Sequence, residues 1–244
     1  MIITGDLSES PLAGPVLASI DVEWSKNYRI RNGNVPFCYS IMWATLPAQP
    51  VPLAEVTWSY TSRYVESAEE TQELISAADT AFGRVLDTAA VITGHQLSSD
   101  LATLINAAHR PVPHLRAMRD LWHERRTVRP APLLDTRYDV GHLLSGASRR
   151  LVDVCTELQL DVTQRELRNT SMTALHRRWL TTGDVEARER ITVLNLRHSL
   201  STGLVALLSG HHVAAGGVNV NHLLARHLTD TYGWLKSPTF TDLL

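Results

Sequence analysis

The apolar run Pro15-Val16-Leu17-Ala18-Ser19-Ile20 passes into Asp21-Val22-Glu23-Trp24, and residues 15–23 read as a buried first strand with a polar end. Residues 36–46, rich in Phe, Tyr, Ile, Met and Trp, predict a second strand. Over 55–65, Val56, Trp58 and Tyr60 alternate with Thr57, Ser59 and Thr61, the two-residue period of a half-exposed strand. Short polar turns separate these strands and predict an antiparallel meander. Ser67-Ala68-Glu69-Glu70 then has the spacing of a capping box, with Leu74, Ala77, Ala78, Ala81, Phe82 and Val85 on one face of the helix it opens.

Beyond that helix the pattern changes to alternating strand and helix. Ala89-Ala90-Val91-Ile92-Thr93 and Pro132-Leu133-Leu134-Asp135 are short, apolar segments and read as buried strands. Ser98 or Ser99 is placed to cap a helix carrying Leu101, Leu104 and Ile105. Residues 148–160 predict a helix, and Asp184 caps a long one running to about Leu208. After Ser209-Gly210-His211-His212 and the Gly216-Gly217 pair, residues 221–232 predict a shorter helix. No internal repeat or low-complexity tract interrupts the order. A meander followed by helix and strand in alternation predicts an α/β domain with a mixed sheet. The expected organisation is an N-terminal extension over 1–14, the main domain over 15–210 and a C-terminal helical extension over 211–244 packed on it.

With 244 residues, 44% of them hydrophobic and 20% charged, the chain can bury a substantial core. No run approaches the length of a membrane-spanning helix. Met1-Ile2-Ile3-Thr4-Gly5-Asp6 lacks the basic start and apolar stretch of a secretory signal, and Cys38 and Cys155 are too few for a disulfide framework. The expectation is a cytoplasmic protein with reduced thiols and no membrane partner. The net charge of −2 does not mark a nucleic-acid binder, but the basic residues are uneven. His109, Arg110, His114, Arg116, Arg119, His123, Arg125, Arg126 and Arg129 crowd one segment against only Asp120 and Glu124. That segment is either a solvated helix face or a surface that tracks a phosphate backbone. The 11 histidines include His211-His212 and the His222/His227 pair, spacings that match no recognised zinc motif.

Because side chains alternate across a strand, Asp21 and Glu23 project from the same face. Like charges so placed repel unless a cation or a proton lies between them, so the pair is either a divalent-metal site or two solvated acids at a strand end. Downstream, Gly94-His95-Gln96-Leu97-Ser98-Ser99-Asp100 sits where a buried strand gives way to a helix. Asp100 therefore falls in a first helical turn near the sheet's carboxyl edge, where ligand sites of open α/β sheets collect.

Together these two segments resemble the first two motifs of the DEDD exonuclease superfamily, whose fold is similar to ribonuclease H. The family pattern is Asp-x-Glu on the first strand, then Gly-His-Asn, three further residues and Asp. Gly94, His95 and Asp100 match, Gln96 stands where Asn is usual, and Leu134-Asp135-Thr136 looks like the family's strand-ending Asp-Thr. The third motif is either Tyr, three residues, Asp, or His, four residues, Asp. Against 193–204, the tyrosine register puts Leu194 at the Tyr and His198 at the Asp, with Asn195, Arg197 and Thr202 in its favour. The histidine register matches His198 to the His and puts Gly203 at the Asp. Both registers lose the last carboxylate and select His198.

The resemblance implies a ribonuclease H-like mixed sheet, an antiparallel three-strand meander plus parallel strands, flanked by helices. It implies a metal-dependent 3′-5′ exonuclease that releases nucleoside monophosphates from a single-stranded or frayed 3′ end of DNA or RNA. Two divalent ions, Mg²⁺ or Mn²⁺, would be held by Asp21, Glu23 and Asp100, with His198 as fourth ligand or general base. Asp135 and Asp139 are the nearest acids in fold terms to make up for the missing carboxylate. Trp24 or Tyr28 would stack on the terminal base, His95 would lie on the nucleic-acid side, and Arg116, Arg119, Arg125 and Arg126 would guide the strand. The alternative is an exonuclease-like protein that has lost turnover and binds nucleic acid or a protein partner, motivated by the missing carboxylate and tyrosine.

Overall fold

The computed structural model describes residues 1–5, 12–26, 33–128, 132–162, 170–214 and 216–244. Tyr28 and Arg129 lie outside them. Its centre is the pairing of β2 (Val16–Ser25) with β3 (Val35–Thr45), antiparallel, with Asp21 opposite Ser40 and Glu23 opposite Cys38. β3 continues antiparallel to β5 (Trp58–Tyr64), which completes the expected meander. On the other side of β2, β6 (Val91–Gly94) and β7 (Leu133–Asp135) add in parallel. The chain is thus an α/β protein built on a mixed sheet flanked by helices.

The first residues, expected as an extension, are part of that sheet. β1 (Ile2–Gly5) pairs antiparallel with β5 and gives the order β1-β5-β3-β2-β6-β7. Two short parallel ribbons lie apart from it. One joins β4 (Val51–Pro52) to β9 (Val213–Ala214), and the other joins β8 (Leu160–Asp161) to β10 (Val218–Asn219).

Alternation along β2 and β3 divides the core in two. Val16, Ala18, Ile20 and Val22, with Phe37, Ile41 and Trp43, face α1 (Thr71–Thr88), α2 (Leu97–Ala107) and α3 (Pro113–Glu124). Leu17, Met42 and Ala44 face the opposite layer, where α6 (Val185–Ser209) is covered by α4 (Leu151–Glu157), α7 (Val220–Leu228), Trp234 and α8 (Pro238–Thr241). The segment expected as an extension over 211–244 therefore supplies core, including Leu224, Trp234, Phe240 and Leu243. α5 (Met172–Thr182) precedes α6 and packs against it.

α6 begins as expected, the Asp184 carboxylate accepting the Ala187 N–H at 3.1 Å. It is apolar on nearly every face because sheet and C-terminal layer sandwich it. By length and composition it is long enough to cross a bilayer, which corrects the reading that no run is; 94% of its apolar window is buried inside the protein. Close approach to the sheet depends on Gly203. A Cβ there would lie 2.0 Å from Met42 Cε and 3.3 Å from Ser19 Cβ. The α1 start also departs from expectation. Ser67 makes no side-chain cap, and Glu70 instead accepts the Glu66 N–H at 2.7 Å and pairs with the Met1 ammonium at 2.6 Å.

Two predictions follow from this packing. Gly203→Ala forces Met42 aside and is expected to cost about 1–3 kcal/mol in urea unfolding. The Gly203→Ala/Met42→Ala double variant should lose less than the sum of the two singles, and strict additivity would contradict the contact. The second concerns His176, buried in α5, stacked on Phe37 at 4.0 Å and hydrogen-bonded to the Tyr64 hydroxyl at 3.0 Å. Burial holds its pKa down at about 4, from an ordinary 6.5. The unfolded chain takes up that proton first, so stability is full above pH 6.5 and falls as pH drops towards 4, by at most about 3 kcal/mol. His176→Phe should flatten the dependence of the urea midpoint on pH over that window, and an unchanged slope would refute the assignment.

Candidate metal centre

Asp21 and Glu23 leave β2 on the α6 side, two residues apart as the strand period requires. A register shift in the β2–β3 ladder between Glu23 and Trp24 ends the regular alternation there, a bulge of the kind that re-aims side chains beside sites. α6 lays one face across this point. Asn195, His198 and Ser199 are spaced three and four apart, so they share that face. Ser40 donates to the Asn195 carbonyl at 3.2 Å and to Ser199 Oγ at 3.0 Å, fixing the helix on β3. From that anchored turn, Asn195 Nδ2 donates to Asp21 Oδ2 at 2.6 Å, and the Cys38 thiol donates to Asn195 Oδ1 at 3.5 Å. His198 Nδ1 stands 3.2 Å from Glu23 Oε1 and 3.6 Å from Asp21 Oδ2.

Asp100 enters from the other side, in the first turn of α2, and is 4% exposed. Its Oδ2 is buried without a hydrogen-bond partner. Burial, and then the charges of Asp21, Glu23 and Asp135, push its carboxyl well above the usual range. Glu23, 5% exposed, is raised to about 7, first by burial and then by Asp21. His198 moves the opposite way to a merely buried histidine. Burial lowers it, but the Asp21 and Glu23 carboxylates outweigh burial and raise it to about 10. Asp21, Glu23 and His198 each offer a ligand atom within 4.8 Å of the other two. The site is thus a concentration of buried negative charge with one imidazole, in need of a cation or protons.

The other acids near the sheet edge are already occupied. Asp135 Oδ1 accepts from the Gln96 and Arg137 N–H groups, each at 3.0 Å, and Oδ2 accepts from the Leu97 N–H at 3.0 Å and Trp122 Nε1 at 2.8 Å. It caps α2 in place of the serines expected there. Asp139 accepts from Arg125 Nε at 2.7 Å, Arg126 Nε at 3.2 Å and the Asp135 N–H at 3.0 Å. Neither replaces the missing carboxylate. Gly203 cannot do so either, since its place in α6 is filled by Met42 and Ser19, and Leu194 is core.

The residues expected to meet nucleic acid are dispersed in role. Trp24 is half-buried against the helical core. His95 is held by its Nδ1 contact to Thr136 Oγ1 at 3.0 Å, and burial, with Arg137 and His198 nearby, lowers its pKa to about 4. Arg125 is buried, stacked on Trp122 at 3.9 Å and paired with Asp139, so it is spent on packing. Arg126 shares Asp139 but is 62% exposed, Arg116 is exposed, and Arg119 lies near Asp120 at 3.8 Å. Asn195 is the site residue that sequence reasoning used only for register. Its position three before His198 on one helix is the signal that places it at the carboxylates.

A separate groove of about 320 Å³, floored by Tyr39, Ile41 and Trp43 and walled by α1, lies on the opposite sheet face from Asp21 and Glu23. No family model matches the chain, and no curated protein matches it.

The cap on α2 generates a test, because it also sets where Asp100 stands. Asp135→Ala orphans four donors and is expected to cost about 3 kcal/mol or more. Amide exchange at Gln96 and Leu97 should accelerate ahead of the rest of the sheet. Unchanged protection of those two amides would show that Asp135 does not hold the helix start.

Proposed function

We propose that the protein is a metal-dependent 3′-5′ exonuclease of ribonuclease H-like fold that releases nucleoside monophosphates from nucleic-acid ends. The observation that carries this reading is the convergence of Asp21, Glu23 and His198 at the carboxyl end of the central strand, with the buried Asp100, whose Oδ2 has no partner, close enough to feel the charges of both acids. The strand order supports it as well, because a β5-β3-β2 meander continued by parallel β6 and β7 matches the arrangement that the sequence resemblance implies.

Carboxylate oxygens suit Mg²⁺ or Mn²⁺, the imidazole shifting the balance towards Mn²⁺, and bound divalent cations would polarise the phosphodiester and activate the attacking water. Asp21, Glu23 and Asp100 would hold the cation, and Asn195 keeps Asp21 in one rotamer while it does so. His198 would serve as the fourth donor. The exposed Arg116 and Arg126 and the half-buried Arg119, on and beside α3, are the expected groups left to meet phosphates, while half-buried Trp24 follows the acid pair on β2.

A second reading has its own observation. His198 already faces both carboxylates as a cation would, which suits a protein of this fold that binds nucleic acid without turnover. Incubation of 3′-labelled DNA and RNA oligonucleotides with Mg²⁺ or Mn²⁺ separates the two. The exonuclease reading expects mononucleotide release that falls about a hundredfold or more in Asp21→Ala. Absence of release from both polymers under both metals rejects it in favour of the second.

A further inference from the structure

We propose that the Asp21–Glu23–His198 site takes one metal ion per chain, with a nitrogen ligand from His198, and prefers Mn²⁺, Co²⁺ or Zn²⁺ to Mg²⁺. This rests on the metal-dependent reading above but goes beyond its two-ion expectation. Two donors each about 2.1 Å from a common ion and at about a right angle stand roughly 3 Å apart. His198 Nδ1 lies 3.2 Å from Glu23 Oε1 and 3.6 Å from Asp21 Oδ2, separations that fit neighbouring vertices around one ion. Asp100 Oδ2, buried without a partner, lies beside this cluster and adds to the negative charge around it.

A second ion needs further anionic oxygens, and Asp135 and Asp139 are committed elsewhere. All four donors of Asp135 and the two arginines on Asp139 exclude those acids from coordination. Among the described residues, Asp21, Glu23 and His198 form the cluster able to hold a metal. Two carboxylates and an imidazole, with water or substrate oxygens, make up one coordination sphere and leave a second one short. The imidazole also sets the choice of ion, because nitrogen ligands favour the later first-row metals whereas Mg²⁺ takes oxygen.

The test is calorimetric titration of the chelator-stripped full chain with Mn²⁺ and, separately, Mg²⁺, with no nucleic acid present. One Mn²⁺ per chain is expected, bound at least about tenfold more tightly than Mg²⁺. His198→Asp should erase that preference, and His198→Ala should weaken Mn²⁺ more than Mg²⁺. On the unaltered chain, pulsed electron paramagnetic resonance of bound Mn²⁺ should show a directly coordinated nitrogen, so the test survives misfolding of either variant. Two ions per chain, equal affinity for the two metals, or no nitrogen coupling overturns the proposal. Because binding is read without substrate, one Mn²⁺ bound without nucleotide release would reject the exonuclease reading alone. Nucleotide release with two Mg²⁺ bound would reject only this one.

Discussion

Burying like charges next to one another is the constraint on which this structure turns. Glu23 and Asp100 are almost fully removed from water, Asp21 is largely so, and each raises the cost of ionising the next. The opposing contribution comes from α6. Its Asn195 and His198 present an amide donor and an imidazole to the acids, and those contacts hold only if the helix lies close to β2 and β3. Closeness in turn depends on features far from the acids: the glycine at 203, the Ser40 and Ser199 hydroxyls, and the C-terminal layer that covers the helix's outer face. A site made of four side chains is therefore supported by three layers of the fold.

The buried acids outside the site show how the chain keeps chemistry and architecture apart. Asp79 accepts the Leu115 N–H at the start of α3, Glu189 accepts the Trp234 N–H, and Asp135 closes the start of α2 with every lone pair occupied. Each sits where backbone donors would otherwise be orphaned, and each is satisfied by them. Asp100 differs in having an oxygen with no donor at all. In a fold that pairs its other buried carboxylates so fully, that exception sets Asp100 apart from the caps.

Periodicity made β2, β3, β5 and α6 legible, because a two-residue alternation and a long apolar stretch survive tertiary context. The Asp21/Glu23 pair and Asp100 were legible for the same reason, each being tied to an element end. β1 was not, since Ile2–Gly5 is half-exposed, short and stabilised by pairing with a strand far along the chain. The roles of Arg125 and Asp135 were hidden too. Nothing local distinguishes an arginine that stacks on Trp122 from one that meets phosphate, or an aspartate that caps a helix 38 residues before it, at Leu97, from one that binds metal. Gln96 is a subtler case. It stands in the left-handed region at φ 63°, a conformation that asparagine tolerates better, so the usual Asn at this place in the resembled motif has a backbone cause.

His198 changes what the site requires in order to exist. Were the fourth group a carboxylate, four acids would face one another and the docking of α6 would be repulsive until cations arrived. An imidazole raised to about 10 is cationic at neutral pH, so it neutralises part of the charge of Asp21 and Glu23 by itself. The helix can therefore close on the sheet before any ion binds, unlike small metal domains whose folding waits for the metal. The same contact sets the cost of occupancy, because a nitrogen that coordinates must first give up its proton to the solvent. Fold stability and metal affinity are thus opposed through one side chain. Under the metal-binding proposal, the charge that helps to close the fold is the one an ion would have to displace.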